Sequence, residues 1–395
     1  MPWLNKYLIY SSVFALFTED FSIHYGIDLK LYYVIILVNL LLFAYYFKIV
    51  IPKNALLIVV FLLIHGVISY VWLANPIKSL IAQLLGITFG SVYYYNFIKE
   101  FTVQKVFKVY LDLAVFIAIL AVPMYFLHIN TFSEYRLNGI LTEPAHYAAI
   151  MLPAVYSFLR RKDFLRLFII VVTIFLSRSS IGYLGLALII LIPLIKSRLF
   201  IKYAWLVLLI LGISGYYLGT QWNKPVNENT SNVLVRRLKE TTNSMHAISS
   251  GKFDEKTNLS SYAFLSNGFI ASNSFWDHPL GIGLGAYQYE YENYYPLLKP
   301  PPYLVELELS KINKTDANSL ALRMLADLGV FALFFLLVFM VRSVKLFRMD
   351  KRIIQQSTFF YLFVKLIREG HYFPPEFYFF LLIYLKDFDK NIAHR

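Results

Sequence analysis

The chain has 395 residues, of which 58% are hydrophobic and only 15% charged, with a formal charge of +13 and no cysteine. A soluble domain carries roughly a quarter charged residues, so this composition excludes an ordinary globular enzyme and points to membrane embedding. The lack of cysteine excludes disulfides, thiol chemistry and Cys-ligated zinc. The positive charge lies mainly in short loops between apolar runs, where it reads as a topology signal and not as a nucleic-acid footprint.

The predicted elements are apolar runs near the length of about 20 residues that a helix needs to cross a bilayer. In chain order they are Tyr7–Thr18, Leu31–Phe47, Ala55–Ala74, Ser79–Ile98, Val109–Leu127 and His146–Leu159. They continue with Leu165–Ser177, Ser179–Ile195, Tyr203–Gly219, Asn318–Val341, Ile353–Ile367 and Phe373–Leu385. The first run resembles a signal peptide in outline, but it lacks a small-residue cleavage site and is read as a short span. Leu165–Ile195 is too long for one upright span and short for two, and Ser177-Arg178-Ser179-Ser180 interrupts it.

Lys and Arg in the short loops set the orientation. With both termini cytoplasmic, one side holds Lys48 and Lys53; Lys99, Lys105 and Lys108; Arg160, Arg161, Lys162 and Arg166; and Lys196, Arg198 and Lys202. The same side then holds Arg342, Lys345, Arg348, Lys351 and Arg352, and finally Lys386 and Lys390. The outer loops hold only Lys30, Lys78 and Arg136, with Arg368 at an edge. This sorting survives every crossing only if Leu165–Ile195 is a pair of short helices broken at Arg178. The fold class is therefore an all-α polytopic membrane protein of about twelve transmembrane helices. Its parts are a region 1–219 of about nine spans, a large extracytoplasmic loop 220–317, and a region 318–395 of about three spans with a cytoplasmic tail. No tandem repeat or matching halves appear, as repeat-built transporters would show.

The residues that depart from the sorting rule are the candidates for chemistry. An Arg near the bilayer centre costs roughly 2.5–3.5 kcal/mol, so Arg178 is expected to face a protein interior or water-filled cavity, as an anion ligand at a helix break, unless it snorkels to the interface. In Arg136-Leu-Asn-Gly-Ile-Leu-Thr-Glu-Pro-Ala-His146, Thr142 is expected to cap a helix whose first turn takes Pro144. Arg136 is then a phosphate ligand, and Glu143 a base or an orienting group for Arg136; plain capping is the structural alternative. His146 by itself reads as structural. The segment Asp316–Asp327 repeats the pattern, with Asp316 or Asn318 as the cap and Arg323 about two turns inside, one turn before Asp327. That pair is equally compatible with a structural role. Lys365, Arg368 and His371 lie at an outward helix end, where an interfacial anchor is the alternative. Glu19-Asp20 in the first outer loop is a further acidic candidate. Gly281-Ile-Gly-Leu-Gly285 lacks the strand–turn–helix setting of a dinucleotide site, and Asp387-Phe-Asp389 belongs to the tail.

The pattern resembles the Wzy-type O-antigen and capsule polymerase family, relatives of the O-antigen ligases. The resemblance runs from about Arg136 to the C-terminus. It rests on Arg136–Gly139 with Glu143-Pro144, Leu176-Ser-Arg-Ser-Ser180 and His278-Pro-Leu-Gly-Ile-Gly283. It continues through Asn318-Ser-Leu, Leu325-Ala-Asp-Leu-Gly329 and Arg368-Glu-Gly-His371. It implies a bacterial inner-membrane glycosyltransferase that joins oligosaccharide repeat units carried on undecaprenyl pyrophosphate. The expected partners are that lipid-linked oligosaccharide, membrane lipid, and a chain-length regulator and flippase of the same pathway. Ligase-type members carry a His directly before the Asn of the loop–helix junction, and here that position is Ala317. The chemistry suits the residues on other grounds too. A pyrophosphate leaving group needs cations, and the planar fork of Arg meets it bidentately, so neither metal nor cofactor is required. Arg136, Arg178 and Arg323 are the expected ligands, with Arg236 or Arg237 from the loop; Asn318, Arg368 and His371 complete the substrate set. Glu143 is the first candidate base and Asp316 the second. The rival readings are an O-antigen-type ligase, a flippase or other transporter, and a receptor or structural membrane protein.

Overall fold

A computed structural model of the chain describes residues 2–18, 21–24, 28–129, 135–196, 245–255, 257–374 and 376–386. Glu19-Asp20, the expected span Tyr203–Gly219, Arg236, Arg237 and Asp387–Asp389 lie outside the described residues. The described part is almost wholly helical, as the composition implied. One departure is a small antiparallel hairpin, Ser22–His24 paired with Asp28–Lys30, in the first connection.

The N-terminal half contains α1 (Pro2–Phe14), α2 (Leu31–Tyr46), α3 (Lys53–Leu73), α4 (Lys78–Phe101) and α5 (Val103–Phe126). Next come α6 (Pro144–Arg161), α7 (Phe164–Ser177) and α8 (Ser180–Lys196). Among the described residues three helices, α3, α5 and Val330–Phe347, are long and apolar enough to cross a membrane, and α2, α7, Ser180–Ile192 and Ile353–Ile367 are shorter apolar helices. Between apolar helices the hydrophobic effect offers little discrimination, so hydrogen bonds and small residues set the packing. The amide of Asn39 on α2 accordingly donates to Ser11 Oγ at 2.9 Å and Ser12 Oγ at 3.1 Å on α1.

The helix α6 is the hub. Pro144 and every residue from Tyr147 to Phe158 are buried, the pattern of a helix with no solvent or lipid face. It packs against α7, α8 and the later helix Ile353–Ile367. Small residues allow the approach of α8: a Cβ on Gly182 would meet the Ala148 methyl at 2.9 Å. The chain is broken between α7 and α8 as the charge sorting required, with Arg178 in the left-handed conformation (φ 47°, ψ 36°) as the C-cap of α7.

The segment 245–306 contributes α9 (Ala247–Ser250), α10 (Leu259–Asp277), α11 (Tyr287–Tyr294) and α12 (Pro302–Glu306). It is followed by α13 (Leu320–Leu328), α14 (Val330–Phe347), α15 (Ile353–Ile367) and α16 (Phe377–Leu385). The expected span Asn318–Val341 is thus two helices. Gly329 separates them with φ 56° and ψ −130°, a conformation open to glycine, and the Val330 amide donates to the Pro279 carbonyl at 2.9 Å instead of continuing α13. The turn 281–285 wedges against this break: Ile282 N donates to Ala326 O at 3.1 Å and Gly283 N to Asp327 O at 2.9 Å. On its other side, Tyr70 of α3 donates from its hydroxyl to Leu284 O at 3.1 Å.

Candidate functional site

The first turn of α6 organises the site. Glu143, not Thr142, is its N-cap residue, with extended backbone (φ −131°, ψ 150°) and no side-chain capping bond. Pro144 occupies the first turn as expected, where its missing N–H costs nothing. Thr142 is exposed, whereas Glu143 is half-buried and its carboxylate has no partner among the described residues. A carboxylate without a partner at a helix start, where backbone N–H groups are left unpaired, is open to a ligand.

One flank of this turn is built from 136–138 and the end of α7. The Leu137 amide donates to Leu176 O at 3.1 Å, and Arg136 Nε to Ser177 O at 3.4 Å. The carbonyls they cap are the unsatisfied ones that any helix end leaves. Arg136 is half-buried and Arg178, the next residue after Ser177, is exposed with a guanidinium free of protein partners among the described residues. The structure therefore brings Arg136 and Arg178 to one helix end.

The other flank joins the loop before α13 to the loop after α15. Glu369 N donates to Asn318 O at 2.8 Å, Ser319 and Glu369 form a parallel bridge, and Ser319 Oγ donates to Leu366 O at 2.7 Å. Gly370 lies so close to the Asp316 carbonyl that no side chain fits there. Ser319, rather than Asp316 or Asn318, caps α13 by accepting from Leu322 N. The reason is local: Ala317 (φ 60°) and Asn318 (φ 56°) are both left-handed and carry the chain past the position from which either expected cap would reach the helix. Arg323 consequently lies in the first turn of α13, not two turns inside. Its guanidinium is 4% exposed and donates from Nη1 to Gly370 O at 3.0 Å. It also stacks 4.6 Å over the Tyr372 ring and lies 3.7 Å from Asp327.

These crossings concentrate charge. Buried Lys365 pairs with Glu369 four residues on, and Glu369 Oε2 lies 3.7 Å from His146 Nε2 on α6. Asp316, nearly buried, accepts from Asn318 N at 3.3 Å and lies 3.4 Å from His371 Nε2. Arg368, at the C-cap of α15, is half-buried with no side-chain partner among the described residues. Glu369 thus ties this flank to α6. Sequence reasoning missed it as a site residue and read His146 as structural. No local signal pointed to it: Glu369 lies beyond the end of α15 with φ 84°, so its spacing of four from Lys365 is not a helical pair.

His371, whose side chain is 55% exposed, is held below the ordinary imidazole value, chiefly by desolvation from its neighbours. The Asp316 and Glu369 carboxylates oppose that shift, while Lys365 and Arg323 reinforce it. The unfolded chain, with an imidazole value of about 6.5, then binds this proton more readily than the folded one. Stability is expected to be full at neutral pH and to fall as pH drops from about 6.5 through the lowered value. A His371→Gln variant should flatten that limb. Thermal unfolding of both proteins between neutral and mildly acidic pH measures it, and identical slopes would remove His371 as the cause.

Comparison with curated proteins found no match. Residues 165–337 match the family model described as O-Antigen ligase, a stretch that begins in α7 and ends in α14. This match, which covers less than half of the chain, together with the apolar helices makes the chain similar to the O-antigen polymerase/ligase superfamily.

Proposed function

We propose that the protein is a glycan polymerase, joining oligosaccharide repeat units carried on undecaprenyl pyrophosphate at the outer face of the bacterial cytoplasmic membrane. The observation that carries the proposal is the first turn of α6. Its N-cap residue Glu143 carries a carboxylate with no partner among the described residues, on a helix that follows the Arg136 segment and whose His146 meets Glu369. In this reading about twelve spans hold the site, with both termini cytoplasmic and the segment 220–317 outside.

The reaction needs an acceptor hydroxyl to attack the anomeric carbon of the donor sugar. A new C–O glycosidic bond forms, the bond to the pyrophosphate oxygen breaks, and the hydroxyl proton passes to a base. Arg136 and Arg178 hold the departing pyrophosphate, with Arg236 or Arg237 contributed from the loop, so charge compensation requires no metal. Glu143 takes the proton, with Asp316 as the second candidate. Asn318, Arg368 and His371 contact the sugars. Arg323, whose guanidinium is buried against Asp327 and Tyr372, acts by fixing the loop 368–372 against α13.

Removal of one preorganised charge-stabilising donor typically costs about 10²–10³ in turnover. Arg178→Gln should therefore slow chain extension about 10²-fold with no loss of folded protein, because the exposed side chain has no structural partner. Arg178→Lys should recover only part, since it restores charge without the planar fork. Wild-type glycan length in an Arg178→Gln strain would dismiss the site. The second reading is a ligase, favoured by the matched family description. Buried Ala317, with no titratable group where ligase-type relatives place a His, favours the polymerase. A deletion strain separates them: loss of a polymerase leaves single repeat units on the final acceptor, whereas loss of a ligase leaves none. A flippase would instead leave extension of externally presented units undiminished.

A further inference from the structure

A second charged site lies away from this chemistry, between α1 and α5 on the side that the Lys/Arg distribution assigns to the cytoplasm. There a cleft of about 570 Å³ is lined by Asn5, Lys6 and Tyr10 of α1 and by Lys105, Lys108 and Asp112 of α5. We propose that this cleft binds the phosphate headgroup of an anionic membrane phospholipid. The proposal is independent of the glycan reading.

Orientation sorting accounts for lysines on this side but not for their convergence. Lys105 and Lys108 sit three residues apart, hence on one face of α5, and Lys6 reaches the same cleft from a different helix. None of the three has a partner among the described residues. The carboxylate in the cleft, Asp112, is engaged instead by Arg166 of α7, at 3.4 Å, and Arg166 also approaches Asp163 at 3.5 Å. Three ammonium groups are left to share an anion, and basic pockets between helices on the cytoplasmic side suit anionic headgroups.

The neighbouring surface selects a lipid over a dissolved anion. Trp3, Tyr7 and Tyr10 of α1 are 67%, 42% and 52% exposed. Amphipathic rings of this kind favour the headgroup level of a bilayer. Tyr10 also lines the cleft, so the cavity opens where headgroups are and beside an apolar helix along which acyl chains run. A phosphodiester between the lysines, with its chains against α1, satisfies both.

The test uses the full chain in nanodiscs of phosphatidylcholine doped with phosphatidylglycerol, with retained lipid counted by native mass spectrometry. Each lysine near a membrane surface contributes roughly fivefold in affinity, so a Lys6→Gln, Lys105→Gln, Lys108→Gln protein should lose phosphatidylglycerol retention by more than about tenfold. Lys105→Gln alone, the milder change should the triple variant fold poorly, should lose about fivefold. Asp112→Asn should retain more lipid than wild type. A protein with Lys345→Gln, Arg348→Gln and Lys351→Gln, which removes equal charge elsewhere on the same side, should behave as wild type. Equal losses in both triple variants, or equal retention of the two lipids, would overturn the proposal. Displacement of the lipid by millimolar inorganic phosphate would identify a soluble anion as the occupant and also overturn it.

Discussion

Glu143→Gln is expected to reduce glycan-chain extension by about 10²–10⁴-fold, the usual contribution of a positioned general base, while leaving thermal stability unchanged. The substitution is nearly isosteric and removes the negative charge together with the ability to take a proton. Glu143 makes no capping bond and has no partner among the described residues, so no hydrogen bond or ion pair of the fold is lost with its charge. Its backbone carbonyl, which accepts from Tyr147 N at 3.1 Å, is unaffected by the change. The measurement is extension rate with purified variant at fixed substrate, beside an unfolding curve. Activity within a few-fold of wild type would transfer the base role to Asp316. Asp316→Asn would then carry the loss, together with some destabilisation from its weakened contacts with His371 and the Asn318 amide.

The second large effect is structural. Asp327 is fully buried and accepts from Gly285 N at 2.8 Å, Tyr287 N at 3.0 Å and the Tyr372 hydroxyl at 3.0 Å, with Arg323 alongside. One carboxylate thereby holds α13, the turn 281–285 with the start of α11, and the loop after α15 together. Breaking a buried ion pair by deleting one partner costs about 3–5 kcal/mol, and each orphaned donor adds about 1–3 kcal/mol. A typical domain has only about 5–15 kcal/mol to lose. Asp327→Ala is therefore expected to abolish recovery of folded protein. Arg323→Ala should be milder, because Asp327 keeps its three other donors. Detergent-solubilised yield and melting temperature of the two variants decide it. A stable Asp327→Ala protein, or an Arg323→Ala protein less stable than it, would contradict this ranking.

Much of the helical layout was legible because apolar runs and their flanking charges are local signals. The bounds expected for Ile353–Ile367 are those observed, and the break at Arg178 followed from charge sorting alone. The break at Gly329 was not legible, since the apolar pattern runs straight through it. It is set by the Pro279 carbonyl, some fifty residues earlier in the chain, which takes the Val330 amide. The cap of α13 shows a similar limit. Asp316, Asn318 and Ser319 are all chemically able to cap, and only the left-handed backbone at Ala317 and Asn318 selects Ser319. In the candidate site, Arg136, Arg178, Glu143, Asp316 and His371 stood out as polar residues at outward helix ends. Glu369 did not, because its role depends on two loops crossing at the Ser319–Glu369 bridge and on His146 arriving from α6. Such crossings leave no local pattern in a sequence.

The central claim is that the first turn of α6 and the charges on either side of it extend lipid-linked glycan. Its most direct test is purified protein incubated with a synthetic undecaprenyl-pyrophosphate oligosaccharide in chelator, with products resolved by size. A ladder of integral repeat units, lost in Glu143→Gln and Arg178→Gln, is the expected result. Absence of any ladder with or without divalent cations, from protein shown to be folded, would contradict it.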